Sequence, residues 1–161
     1  MTTAEYNECV DRHADGVYRF VLKNLREEEK ARDIVQDSFE KMWMKREEID
    51  GSKARSYLFT TAYHTMIDAI RRERFSAGMN ETVHNEHAYH DGYSDLKEVL
   101  DEAVARLPDI QRSVVLLRDY EGYSYQEIGE VTGLSESQVK VYIYRARTTL
   151  KNYIGSLDAV I

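Results

Sequence analysis

The sequence predicts an all-α protein: two small helical domains joined by a flexible linker. Three observations predict it. Apolar residues recur at intervals of three and four along most of the chain; Pro occurs once, at Pro108, and β-branched alternation is scarce; and the stretch from Ser76 to Ser94 breaks the helical pattern. That stretch, SAGMNETVHNEHAYHDGYS, has almost no aliphatic residue, so burial cannot offset the entropy lost on ordering it. The expected layout is a domain over 1–75, a linker over 76–94 and a domain over 95–161, the two domains weakly coupled to each other.

In the first domain, Tyr6, Val10, Ala14, Val17 and Val21 trace one face of a helix that Gly16 weakens, and Ala31, Ile34, Val35, Ser38 and Met42 trace a second. The pattern breaks at Gly51-Ser52 and resumes with Leu58, Phe59, Ala62, Met66 and Ile70. Thr65 and Asp68 have the spacing of a capping box, which predicts a further helix start and a bundle of about four helices.

The second domain is more sharply punctuated. Leu107-Pro108 restarts a helix carrying Val114, Val115 and Leu117, and Gly122 ends it where positive φ is needed. Ser124 with Glu127 opens the next helix and Gly133 closes it; Ser135 with Gln138 opens the last. Two helices joined by Gly133, Leu134 and Ser135 have helix-turn-helix punctuation.

Bulk properties narrow the function. The 22 Lys+Arg against 29 Asp+Glu give a formal charge of −7 over 161 residues, with 14 basic and 15 acidic side chains in 1–75, none and three in 76–94, and eight and eleven in 95–161. Duplex affinity comes mainly from neutralising phosphates, so such a chain grips DNA weakly without help. Cys9 is the one thiol, which excludes an internal disulfide and agrees with a reducing compartment. No apolar run is long enough to span a membrane and no secretory signal opens the chain, so cytoplasmic residence without stable membrane insertion is expected. Paired catalytic carboxylates, a nucleophile elbow and a phosphate-cradling Gly loop are missing, and no cofactor is expected. His84, His87 and His90 lack the framework that fixes metal ligands, so no metal site is assigned to them. The reading is therefore not an enzyme.

Three surfaces carry chemistry. On the last helix, Val139, Ile143, Ala146 and Leu150 form the core stripe, while Ser137, Gln138, Lys140, Val141, Tyr144, Arg145, Arg147 and Thr148 project elsewhere. In a major groove Val meets a thymine methyl, Arg pairs with guanine, and Lys or Arg holds phosphate; Arg145 is the expected base reader. On the second helix Asp33, Gln36, Asp37, Glu40 and Met44, edged by Phe39 and Trp43, form an acidic face suited to a basic protein surface. Between Lys53 and Arg74, Tyr57, Phe59, Tyr63 and His64 interleave with Arg55, Arg71, Arg72 and Arg74, as single-strand binding requires, although Phe59 also fits the core. A stand-alone helix-turn-helix regulator and a purely protein-binding helical module are also compatible with these residues.

The segments ARDIVQDSFEKMW (31–43), RSYLFTTAYHTMIDAIRRER (55–74) and LPDIQRSVVLLRDYEGYSYQEIGEVTGLSESQVKVYIYRAR (107–147) resemble the extracytoplasmic-function (ECF) sigma factors of the sigma-seventy superfamily, in the family's order. The resemblance implies a region 2 domain at 1–75 and a region 4 helix-turn-helix domain at 95–161, in a transcription initiation factor that directs RNA polymerase core to promoters and assists strand opening. It implies that Asp33, Gln36, Asp37, Glu40 and Trp43 dock on the polymerase β′ clamp coiled coil, with the β flap a second contact. It places Tyr57, Tyr63, His64, Thr65, Arg71 and Arg72 at the minus-ten element, and Arg118, Ser137, Gln138, Lys140, Val141, Tyr144, Arg145 and Arg147 at the minus-thirty-five element. It also implies an anti-sigma factor as partner, which can hold the protein at the bacterial inner membrane. Where this chain has His64 the family often has Asn, and where it has Val141 and Tyr142 the family often has Ser then Arg, so promoter letters do not carry over.

Overall fold

Helix α1 (Thr3–Leu25) starts where the sequence supplies a reciprocal cap: Thr2 Oγ1 accepts from the Glu5 N–H at 3.0 Å and Glu5 Oε1 accepts from the Thr2 N–H at 2.8 Å. It ends at Arg26, a non-glycine residue in the left-handed region at φ 60°, whose N–H closes the last turn onto the Leu22 carbonyl. Helix α2 (Glu28–Met44) follows, then two short 3-10 turns (Arg46–Glu48 and Gly51–Lys53) and helix α3 (Ala54–Ala77). The second half holds α4 (Asp95–Ala105), α5 (Asp109–Val115) running into a π-helical turn (Leu116–Tyr120), α6 (Tyr125–Thr132) and α7 (Glu136–Asp158). The computed structural model describes residues 1–77 and 95–158. Residues 78–94 of the linker expected over 76–94, with His84, His87 and His90, lie outside the described residues.

The sequence punctuation of the second half holds. Gly122 and Gly133 have φ of 76° and 83°, in the left-handed region where a side chain strains the backbone. Ser124 and Glu127 form a full capping box, and Ser135 and Gln138 exchange the same pair of bonds at 3.1 and 2.9 Å. Gly129 has a separate reason to be glycine: a Cβ there would stand 2.8 Å from the Leu134 carbonyl oxygen in the turn, a fixed backbone atom.

Three expectations for the first half are corrected. Thr65 starts no helix: α3 is unbroken from Ala54 to Ala77, because the apolar stripe is continuous and the buried Thr65 hydroxyl accepts from Lys41 Nζ of α2 at 3.0 Å instead of capping. Residues 1–77 accordingly form three α-helices and two 3-10 turns, not about four helices. Ser76 and Ala77, assigned to the linker, close α3, whose last turns are tied down by Lys30–Glu73 at 2.6 Å and Arg74–Asp109 at 2.8 Å.

The expectation of weak coupling is also corrected. Val17, Phe20 and Val21 of α1 and Leu58, Phe59 and Met66 of α3 share one apolar cluster with Val114, Leu116, Leu117, Tyr123, Ile128 and Val131 of the second half. Tyr123, in the loop before α6, is the plug: its ring meets Phe59 edge-on at 5.3 Å, Phe59 in turn meets Phe20 at 5.8 Å, and the Arg55 guanidinium covers Tyr123 at 4.0 Å. Burial pushes the Tyr123 hydroxyl far above the ordinary tyrosine range. Periodicity reports which face of a helix is apolar, not which helix covers it, so this union could not be read from spacing.

Candidate nucleic-acid and polymerase interfaces

Helix α7 follows the tight Gly133–Ser135 turn and buries Val139, Ile143 and Ala146, which fixes its rotation. Its other face is therefore presented outward: Ser137, Gln138, Lys140, Arg145 and Arg147 are exposed, with Val141 at 44% and Tyr144 at 72% accessibility. An apolar Val and a large ring left bare beside cations suit the edge of a base better than bulk water. The Arg145 guanidinium lies 5.9 Å from the Tyr142 ring, and no carboxylate among the described residues is paired with it.

Its neighbours are organised by two residues that sequence reasoning passed over. Tyr125, the first residue of α6, has the Arg118 guanidinium 4.5 Å and the Lys140 ammonium 5.6 Å from its ring centre, and its hydroxyl helps raise the Arg147 pKa. Arg118 also donates to the Tyr123 carbonyl at 2.9 Å. Asp119, delivered by the π-helical turn, takes both Nε and Nη2 of Arg147, at 3.2 and 2.5 Å. This pairing is the main reason the Arg147 pKa is raised. A recess of about 390 Å³ beside these groups is lined by Tyr125, Lys140, Ile143, Tyr144, Arg147, Thr148 and Lys151, with no acid among them. The available signal for Tyr125 was an aromatic residue immediately after a capping Ser; for Asp119 there was none, since its partner lies 28 residues away.

On α3 the structure separates the six residues assigned to the minus-ten element. Tyr57, His64 and Arg71 recur every seventh residue and share one face, with Arg72 beside them; His64, Arg71 and Arg72 are exposed and Tyr57 is half-buried. Tyr63 and Thr65, at 8% and 7% accessibility, turn inward, and burial raises the Tyr63 pKa. Phe59 is core.

On α2, Asp33, Gln36 and Glu40 are exposed and Asp37 is half-exposed, 3.4 Å from Lys41. Trp43 lies at their edge, seated on Tyr6 at 4.9 Å with the Arg46 guanidinium 3.7 Å above it, and Met44 beyond it is largely bare. A rigid indole and a bare thioether beside carboxylates make an anchor with an acidic rim.

This arrangement is matched among known proteins. A sigma-70 region 2 family model covers residues 9–76 and a sigma-70 region 4 model covers residues 97–150. The RNA polymerase sigma factor YlaC of Bacillus subtilis (strain 168) is 30% identical over 144 residues, 84% of this chain and 83% of its own. The chain belongs to the ECF sigma factors of the sigma-70 family. The ECF sigma factor SigM of Bacillus subtilis (strain 168) is similar at 26% identity over 150 residues, 90% of this chain and 92% of its own. The fold is shared with the sigma factor RpoE of Bartonella quintana, solved in complex with the anti-sigma factor NepR, at a TM-score of 0.81 and 22% identity over 93% of this chain and 96% of that one. As a sigma factor the protein is a transcription initiation factor, and α6–α7 is its region 4 helix-turn-helix. No helix among the described residues of the sigma factor is long and apolar enough to cross a membrane.

Proposed function

We propose that this sigma factor binds RNA polymerase core through α2, opens the minus-ten element with α3 and reads the minus-thirty-five element with α7. Asp33, Gln36, Asp37, Glu40 and Trp43 contact the polymerase; Tyr57, His64, Arg71 and Arg72 meet melted DNA, with Tyr63 and Thr65 buried beneath them. Residues 1–77 act as region 2 and 95–161 as region 4, with 78–94 spanning them. The sigma factor supplies recognition and the polymerase the nucleotide chemistry, in the bacterial cytoplasm. An anti-sigma partner is supported by the complex in which the structural neighbour was solved.

The observation that carries this reading is the outward face of α7, where Arg145 stands beside bare Val141 and Tyr144 without an acid partner among the described residues. Size adds a requirement. Elements named minus ten and minus thirty-five lie about 25 base pairs, or about 85 Å, apart at ~3.4 Å per base pair. A compact chain of this length has a radius of gyration of about 15 Å. The closed arrangement therefore engages one element at a time, and polymerase must separate the halves. Arg145→Ala should lower discrimination between matched and mutated minus-thirty-five elements by ~1–3 kcal/mol. Open-complex formation by the holoenzyme on both templates measures it, and equal loss on the two would refute base reading.

A further inference from the structure

Four ion pairs between the halves, among the described residues, share one polarity. Arg19–Glu121 at 2.9 Å, Lys23–Asp101 at 3.0 Å, Arg26–Glu102 at 3.1 Å and Arg74–Asp109 at 2.8 Å each place the base in region 2 and the acid in region 4. Arg55 adds a bond of 2.6 Å to the Glu121 carbonyl. Arg19 and Lys23 lie one turn apart on α1 and Arg26 follows as its left-handed C-cap, together a basic stripe at the end of the helix. Their side chains keep 45%, 20% and 32% of their surface: carboxylates cover Arg19 and Arg26, and Lys23 is covered both by Asp101 and by the Tyr120 ring, 5.0 Å from its ammonium.

Arg19 meets Glu121 through Nε and Nη2, both at 2.9 Å, the two-pronged geometry with which a guanidinium also takes a phosphate. The stripe also continues toward DNA-facing residues. Arg74 reaches Asp109, Asp109 reaches Arg112 at 2.7 Å, and Arg112 reaches Asn24 at 3.1 Å, which sets the ends of α1 and α3 side by side. Arg71 and Arg72, exposed on α3, lie within three residues of Arg74. We propose that Arg19, Lys23 and Arg26 form a masked binding surface for the phosphate backbone of single-stranded DNA, continuous with the minus-ten face, and that the region 4 acids Asp101, Glu102 and Glu121 stand in for phosphate until the halves separate. This rests on the assignment of α3 to melted DNA but is tested apart from it.

Two triple variants break the same three pairs and leave opposite partners behind. Asp101→Asn/Glu102→Gln/Glu121→Gln keeps the cations; Arg19→Gln/Lys23→Gln/Arg26→Gln keeps the acids. Glu47→Gln/Glu48→Gln/Glu130→Gln controls for net charge, since it removes three acids elsewhere. Binding of the full chain to a fluorescent 20-nucleotide oligothymidylate is read by anisotropy across a salt series, with small-angle scattering to follow expansion. The set is repeated with Tyr123→Ser, which unseats the plug whether or not loss of the pairs alone opens the chain. The acid-neutralised variant should bind at least tenfold tighter than the parent at low salt and tighter than the control. Its log–log salt slope should be steeper by about 2, from ~0.7 per neutralised phosphate at three cations. The cation-neutralised variant should gain nothing. Equal gain in the two interface variants, a gain no greater than the control's, or no gain in the Tyr123→Ser background overturns the proposal. Promoter-directed run-off by the holoenzyme would separately report whether the α3 assignment stands.

Discussion

Arg112 of α5 donates from Nε to Asn24 Oδ1 of α1 at 3.1 Å, and both side chains are buried where the two halves of the molecule meet. Ser113 donates to the same oxygen at 3.2 Å, while the other Arg112 nitrogens reach the Leu107 carbonyl at 2.8 Å and Asp109 at 2.7 Å. One amide thus satisfies a buried cation and a buried hydroxyl across the interface. Asn24→Leu leaves both donors short of a partner and should cost ~1–3 kcal/mol. Arg112→Met takes the donor away from Asn24, the Leu107 carbonyl and the Asp109 carboxylate together and should cost more, ~3–5 kcal/mol. Urea unfolding of the two variants gives the order; a larger loss for Asn24→Leu would contradict it.

Tyr125 seats Arg118 and Lys140 through its ring and Arg147 through its hydroxyl. Tyr125→Ala should weaken minus-thirty-five-dependent open-complex formation by about 0.5–2 kcal/mol, and Tyr125→Phe, which keeps both ring contacts, by less. Equal effects of the two would assign the role to the hydroxyl alone.

Asp119 holds Arg147 in a two-pronged pair. Asp119→Asn frees that cation for phosphate, so holoenzyme binding to duplex should show a salt slope steeper by up to ~0.9, with matched and mutated promoters affected alike. An unchanged slope would mean that Arg147 does not reach the backbone.

Gly129→Ala gains helix propensity but sets a Cβ 2.8 Å from the Leu134 carbonyl oxygen. The fixed turn should make the net effect destabilising by ~1–3 kcal/mol, seen as a lower Tm by circular dichroism. A raised Tm would show that the turn yields.

Acid should loosen the contact between the halves. Burial works to raise the Asp109 pKa, but the Arg112 hydrogen bond and the Arg112 and Arg74 charges outweigh it and leave the group below its ordinary 3.8. Glu102 is held below 4.5 first by its Arg26 hydrogen bond. A carboxylate depressed in the folded state contributes stability that is full above its unfolded pKa and lost as pH falls through the lower native value. Small-angle scattering should therefore show constant compactness from pH 7 to about 5 and expansion below about 4. The double variant Glu102→Gln/Asp109→Asn should flatten this response.

The helix-turn-helix was legible because its signals are local: Ser124, Gly133 and Ser135 act within a few residues of themselves, and the buried Val139, Ile143 and Ala146 follow helical spacing. These settle the rotation of α7 and so which side chains it presents outward. Thr65 misled for the same reason, since local spacing cannot register that Lys41 claims the hydroxyl. Tyr57, His64 and Arg71 were grouped with Tyr63 and Thr65 by the family resemblance, and packing separated them by turning the latter two inward. What joins the halves was beyond local reading: Phe59 meets Tyr123, Arg19 meets Glu121 and Asn24 meets Arg112 across 64 to 102 positions of chain. Capping and periodicity act within a turn or two of helix and are written into neighbouring residues, whereas the mating of two apolar faces and the pairing of distant charges exist only once the chain has closed on itself.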